Sequence, residues 1–144
     1  MQMVRLIYVS VMTAACDTEA LEEILRGSRE NNNKKEITGM LCYDPTFFLQ
    51  CLEGPREAVN ELYATIASDK RHKNVTILEY VDVEERLFAN WCMAFVSAST
   101  IKKEILDNFS KGKGNFNPFA LNGSDAQQFL ATVAAEKCGC LASQ

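Results

Sequence analysis

The 144-residue chain is poor in structural punctuation and carries no dominant charge. It holds three prolines, seven glycines, one tryptophan and one histidine, and 15 basic against 19 acidic side chains leave a formal net charge of −4. Without a basic balance it does not read as a general nucleic-acid binder. No apolar run is long enough to cross a bilayer, so no membrane association is expected. A Gly-rich phosphate loop is missing, since Gly39 and Gly54 stand alone. There is no Cys-x-x-Cys, and His72 lies far from any cysteine pair, so no metal site is expected. Nothing supplies His72 with a nucleophilic Ser or Cys, and Glu84-Glu85 reads as a solvated loop pair. The chain is therefore not expected to be an enzyme.

What is present suits a globular protein. At 47% hydrophobic and 24% charged residues, the chain can bury a real core. Three of its six cysteines, Cys42, Cys51 and Cys92, sit in apolar runs, where a free thiol behaves as a small hydrophobe. Cys16 follows an apolar stretch that faintly imitates a lipoprotein signal, but that stretch is short and reads better as a strand. Cys138 and Cys140 fit a reduced tail, and the cysteine usage as a whole points to the cytoplasm.

Val4 to Val11 is β-branched and aliphatic, and predicts a buried strand. Asp17 or Thr18 caps a helix carrying Leu21, Ile24, Leu25 and Ser28, which the asparagines 31–33 end. Glu36 to Tyr43 and Phe47 to Glu53 predict two strands joined by Asp44-Pro45-Thr46 as a hairpin. Pro55 opens a second helix with Val59, Leu62, Tyr63 and Ile66 on one stripe. A polar loop, Ser68 to Asn74, precedes a fourth strand at Val75 to Val81, and Trp91 to Val96 gives a fifth. This order predicts an α+β, ferredoxin-like βαββαβ sandwich with an added fifth strand and both helices on one sheet face. Ile101, Ile105, Leu106 and Phe109 mark a third helix. Ser124 with Gln127 reads as the capping box of a fourth, striped by Ala126, Phe129, Leu130 and Val133. The expected division is 1–97 as the binding domain and 98–144 as a C-terminal helical extension.

Several polar groups fall where the pattern predicts core. Tyr8 lies mid-strand in Leu-Ile-Tyr-Val, and Gln50 mid-strand in Phe-Phe-Leu-Gln-Cys-Leu. In a ferredoxin-like sheet the first and third strands are central neighbours, so the two can meet. A buried glutamine must then be hydrogen-bonded. Trp91 and Met93 share a strand face. Taken singly, each has an ordinary reading: core tyrosine, strand glutamine, packed Trp and Met, and a helix C-cap at Asn31-Asn32. A small-ligand regulatory module of the same fold needs none of this set. An acylphosphatase-type enzyme needs a phosphate loop with Arg and Asn, which is not found.

Together and in order, these residues carry a family resemblance. Arg5-Leu6-Ile7-Tyr8, Asn31-Asn32, Ile37-Thr38-Gly39-Met40-Leu41, Phe48 to Gly54, Asp69-Lys70-Arg71-His72 and Asn90-Trp91-Cys92-Met93 make the chain from Arg5 to Phe95 resemble a BLUF domain, a flavin-binding blue-light sensor. The last two helices resemble those of short single-domain members of the PixD type. The resemblance implies a non-covalent flavin between the first two helices, with Ile24 and Ile66 on its ring faces. Ser28, Asn31 and Asn32 would lie on the ring's polar side, the amides matching its carbonyl and N–H edge. Arg71, His72 and Arg29 would lie toward the phosphate tail. Tyr8 and Gln50 would be the photochemical pair, and Trp91 and Met93 the signal relay. Thr65 stands where many members carry a cation, which leaves FAD or FMN open, with FAD the first expectation. The resemblance further implies signalling to a separate, unidentified partner protein. The C-terminal helical pair is too short to be a domain and should pack on the core or on another subunit. Its apolar stripes after Ser97 exceed what so small a core needs, so a homo-oligomer is expected.

Overall fold

The computed structural model describes residues 2–89, 93–110 and 114–142, without the side chains of residues 29, 31–33 and 138–142. Five strands and four helices follow in the order β1 (Met3–Met12), α1 (Thr18–Lys34), β2 (Thr38–Tyr43), β3 (Phe47–Pro55), α2 (Arg56–Ala67), β4 (His72–Val83), β5 (Ala94–Ser97), α3 (Lys103–Phe109) and α4 (Gly123–Ala142). The sheet order is β4-β1-β3-β2-β5. The first four strands pair antiparallel, and β5 adds parallel to β2. This is the ferredoxin-like α+β arrangement with a fifth strand.

Alternation along the strands splits the interior into two cores. Leu6, Tyr8, Leu41, Phe48, Leu52 and Met93 face α1 and α2, together with Val59, Leu62, Tyr63 and Ile66 of the α2 stripe. Ile7, Val9, Met40, Cys42, Leu49 and Cys51 face the other way, onto Phe129, Leu130 and Val133 of α4. The C-terminal helices thus form a third layer. Of the two expected covers for their stripes, the core or another subunit, the first holds: they are buried on the second face of this chain's own sheet, with Ala126, Leu130 and Val133 at 0% exposure. Surplus apolar surface therefore does not argue for an oligomer.

Local chemistry explains several element ends. Asp17 Oδ1 accepts from the Ala20 N–H at 2.8 Å, which caps α1. Asp44 Oδ1 accepts from the Thr46 and Phe47 N–H groups at 2.8 and 2.7 Å and closes the β2–β3 hairpin. Several boundaries differ from the sequence reading. α1 runs through residues 31–33 to Lys34, so the asparagines do not end it, and β5 is Ala94–Ser97, so Met93 precedes the strand. Asn122 caps α4, accepting from the Asp125 N–H at 2.8 Å, so the pair Ser124/Gln127 is not the cap. Glu36 takes a positive φ of 60°, so β2 begins at Thr38. β4 starts at His72, because Met12 and Val11 of β1 still pair with His72 and Lys73.

Gly39 is required by close approach. A Cβ there would stand 1.9 Å from the Cys51 carbonyl oxygen and 3.3 Å from Met93 Cε. The missing side chain lets β2 and β3 pair at this point and leaves room for the Met93 methyl.

Candidate functional site

A cleft of about 160 Å³ opens between α1 and α2 against the sheet. Ile24 stands on its α1 side and Leu62 and Ile66 on its α2 side, while Leu41, Phe48, Tyr8 and Gln50 line it from the sheet. Glu23, Ser28, Thr65, Asp69, Arg71 and His72 complete the lining. A larger hollow of about 570 Å³ lies elsewhere, lined by Glu36, Asp82, Glu84 and Arg86 with Met3, Pro55 and Val83, and it includes neither Tyr8 nor Gln50.

The Tyr8–Gln50 pair follows directly from register. Tyr8 and Gln50 are cross-strand partners of β1 and β3 and point to the same face. The Tyr8 hydroxyl donates to Gln50 Oε1 at 2.5 Å. Gln50 Nε2 in turn donates to Met93 Sδ at 3.5 Å. The phenol brings a proton and a thioether can only accept, so both neighbours select one orientation of the amide. Burial pushes the Tyr8 phenol well above its usual range, helped by Tyr63 and Asp69, so Tyr8 is a neutral donor. Its ring rests edge-on against Tyr63 and His72, at centroid distances of 6.0 and 6.3 Å.

His72 lines the cleft with both nitrogens engaged. Nε2 meets the Ile66 carbonyl at 2.5 Å and must carry a proton there, since a carbonyl only accepts. Nδ1 meets the Ser10 hydroxyl at 2.9 Å. With no nitrogen free for a phosphate, His72 instead ties the C-terminal end of α2 to β1. Arg71 is likewise engaged, donating to both oxygens of Asp69 at 2.6 to 3.0 Å and lying 3.8 Å from Glu23. That hydrogen-bonded pair holds the Asp69 carboxyl below its ordinary value. The Thr65 hydroxyl donates to Glu61 O at 3.2 Å within α2.

Fold and register thus bring together Tyr8, Gln50, Met93, Ile24, Ser28, Ile66, Arg71 and His72. The side chains of Arg29, Asn31 and Asn32, and all of Trp91, lie outside the described residues. Two buried ions escaped the sequence reading. Glu53 is 0% and Arg5 7% exposed, and Arg5 Nε donates to Glu53 Oε2 at 2.9 Å. A charge of each sign at matching ends of two apolar strands was the available signal.

The donor set fits a flat, apolar ring with one polar edge: aliphatic side chains on opposite sides, a phenol and an amide on the floor, and charged groups at the mouth. Comparison with known proteins agrees. The family profile described as BLUF, sensors of blue-light using FAD, matches residues 3–94. The photo-activated state of BlsA superposes with a TM-score of 0.80 at 32% identity, covering 91% of this chain and 94% of that one. BlrB, a BLUF protein in its dark state, gives 0.76 at 29% identity, covering 94% and 97%. Both alignments extend over the C-terminal helices as well, and neither singles out the PixD type. The alpha subunit of the photoactivated adenylate cyclase of Euglena gracilis is 36% identical over 89 residues, covering 62% of this chain. The chain spans only 9% of that relative's length. Among the described residues, no helix is long and apolar enough to cross a membrane.

Proposed function

The chain belongs to the BLUF family, the sensors of blue light using FAD, and we propose that it is a photoreceptor, not an enzyme, whose switch is the Gln50 amide. The observation that carries this is the chain of contacts from Tyr8 through Gln50 to Met93 on the floor of the apolar cleft. Ile24 and Ile66 would hold the flavin ring between them. Ser28, Asn31 and Asn32 would serve its polar edge, and Arg71 and Arg29 its tail. We take FAD as the cofactor and FMN as the alternative. His72 would fix the wall rather than grip phosphate, because both its nitrogens are already used.

A bound flavin supplies a blue-light-excited electron acceptor. Tyr8 is one of the few side-chain types able to give an electron and a proton together and take both back. Its proton would travel through the Gln50 carbonyl on which it already rests. Gln50 is the part that changes. If the amide turns, Nε2 faces the phenol oxygen, which can accept. Oε1 then faces Met93 Sδ, which has no proton to give. Reorientation therefore breaks the Gln50–Met93 contact, and Trp91 and Met93 would relay that loss.

β5 is placed to pass it on. Met93 and Phe95 belong to the core under α1 and α2, whereas Ala94 and Val96 pack in the core under α4. We propose that residues 1–97 hold the flavin and that 98–144 present the output to a separate protein in the cytoplasm. Absorption spectra before and after blue light test the reading. The flavin band should shift slightly to the red and recover in darkness without a covalent adduct. A purified protein that takes up no added flavin, or permanent bleaching, would overturn it.

A further inference from the structure

Arg5 and Glu53 stand in the matched motifs, yet neither lines the cleft. Glu53 lies on β3, three residues beyond Gln50 and on the opposite sheet face. Its carboxylate does more than neutralise Arg5. Oε2 also accepts from the Leu87 N–H at 2.9 Å, and Oε1 from the Phe88 N–H at 2.9 Å. Leu87 and Phe88 lie between β4 and β5, outside any strand. Arg86 Nη1 adds bonds to the Glu53 carbonyl at 3.1 Å and to Thr38 Oγ1 at 2.8 Å. Balancing Arg5 alone would not require the carboxylate to reach two backbone N–H groups of a connecting segment.

That same segment leads to Met93. Phe88 is buried in the core under α4, and Met93 in the core under α1 and α2. The two residues thus lie on opposite faces of the sheet. Five residues reach at most about 18 Å, so holding Phe88 bounds where Met93 can go. β3 grips the segment twice: through Glu53 at Leu87 and Phe88, and through Gln50 at Met93.

We propose that Glu53, charge-balanced by Arg5, is the positioning residue of the Gln50–Met93 contact, and that by fixing Leu87 and Phe88 it sets how fully a turn of Gln50 is felt at β5. The proposal rests on the photoreceptor reading above. Flavin-loaded full-length protein with ¹³C-methyl methionine, observed by NMR in darkness and under blue light, tests it. Glu53→Gln keeps the shape and removes the charge. Arg5→Met with Glu53→Leu removes both charges, leaving none buried unpaired. Val133→Ala in α4 serves as a destabilised control.

All variants should keep the flavin red shift, because Tyr8 and Gln50 are untouched. The light–dark change of the Met93 methyl resonance should be lost in both Glu53 variants and kept in Val133→Ala. Retention of that change in the Glu53 variants, or an equal loss in the control, overturns the proposal. Should the variants not fold, the parent still decides. Amide exchange at Leu87 and Phe88 should be slow in both states, and exchange as fast as in an exposed loop overturns the anchor. A parent lacking any red shift refutes the photoreceptor reading instead, and leaves the anchor to the exchange measurement.

Discussion

Removing one oxygen atom from Tyr8 isolates the hydrogen bond at the centre of the site. Tyr8→Phe leaves the ring edge-on against Tyr63 and His72. It strips Gln50 Oε1 of its donor in a setting where Tyr8 is 3% and Gln50 4% exposed. An unpaired buried acceptor costs about 1–3 kcal/mol, which lowers the melting temperature of a chain of this size by about 3–9 °C. Gln50→Leu leaves the phenol unpaired at a similar cost. Combining the two removes both partners and leaves apolar groups in apolar surroundings, which is close to neutral. The double variant should therefore be about 2–6 kcal/mol more stable than the sum of the single losses. Denaturant midpoints of the flavin-saturated proteins measure this, and light–dark difference spectra of the same samples should show no red shift in any of the three. Single losses that add to within about 0.5 kcal/mol, or a normal red shift in either single variant, refute the assigned bond.

Three further outcomes are expected. Gly39→Ala brings a Cβ to 1.9 Å from the Cys51 carbonyl, so β2 and β3 must separate; a loss above about 3 kcal/mol or insolubility is expected in thermal unfolding. Met93→Ala should leave the red shift nearly intact, yet reduce the light-dependent change in amide exchange of β5 and α4; an unchanged response there excludes a route through Met93. Tyr8 has its folded-state pKa raised by burial, so the stability this contributes is complete below the unfolded value of about 10 and is lost as pH rises toward the folded value. In an alkaline titration of the wild type against Tyr8→Phe, the wild type should lose stability more steeply above about pH 10.

Period and punctuation made much of the architecture legible. Alternation in β1 and β3, Asp44-Pro45-Thr46 and the α2 stripe depend on near neighbours, and with the ferredoxin-like strand order they allow Tyr8 and Gln50 to meet; the register itself is the structure's. Features decided at longer range were not readable. Nothing local tells Asn122 from Ser124 as a cap, since both side chains suit the position and the arrival of the chain from Leu121 decides. The length of β4 depends on where β1 stops pairing. The C-terminal stripes showed that a surface must be covered, but not that the second sheet face would be the cover. Glu53 looked like the polar end of a strand because its partners, Arg5 and the N–H groups of Leu87 and Phe88, lie 34 to 48 residues away.

Cys42 and Cys51 lie at 0% exposure on the sheet face that carries α4. Burial pushes both thiols well above their ordinary range. The thiolate is the form that alkylates, so both sites stay chemically silent while the helical cover remains seated. Half-exposed Cys16 lies away from that cover and supplies an internal reference. The chain thus carries its own chemical clock: the alkylation rate of two native thiols, resolved by mass spectrometry, times how often the third layer lifts from the sheet in darkness and in light.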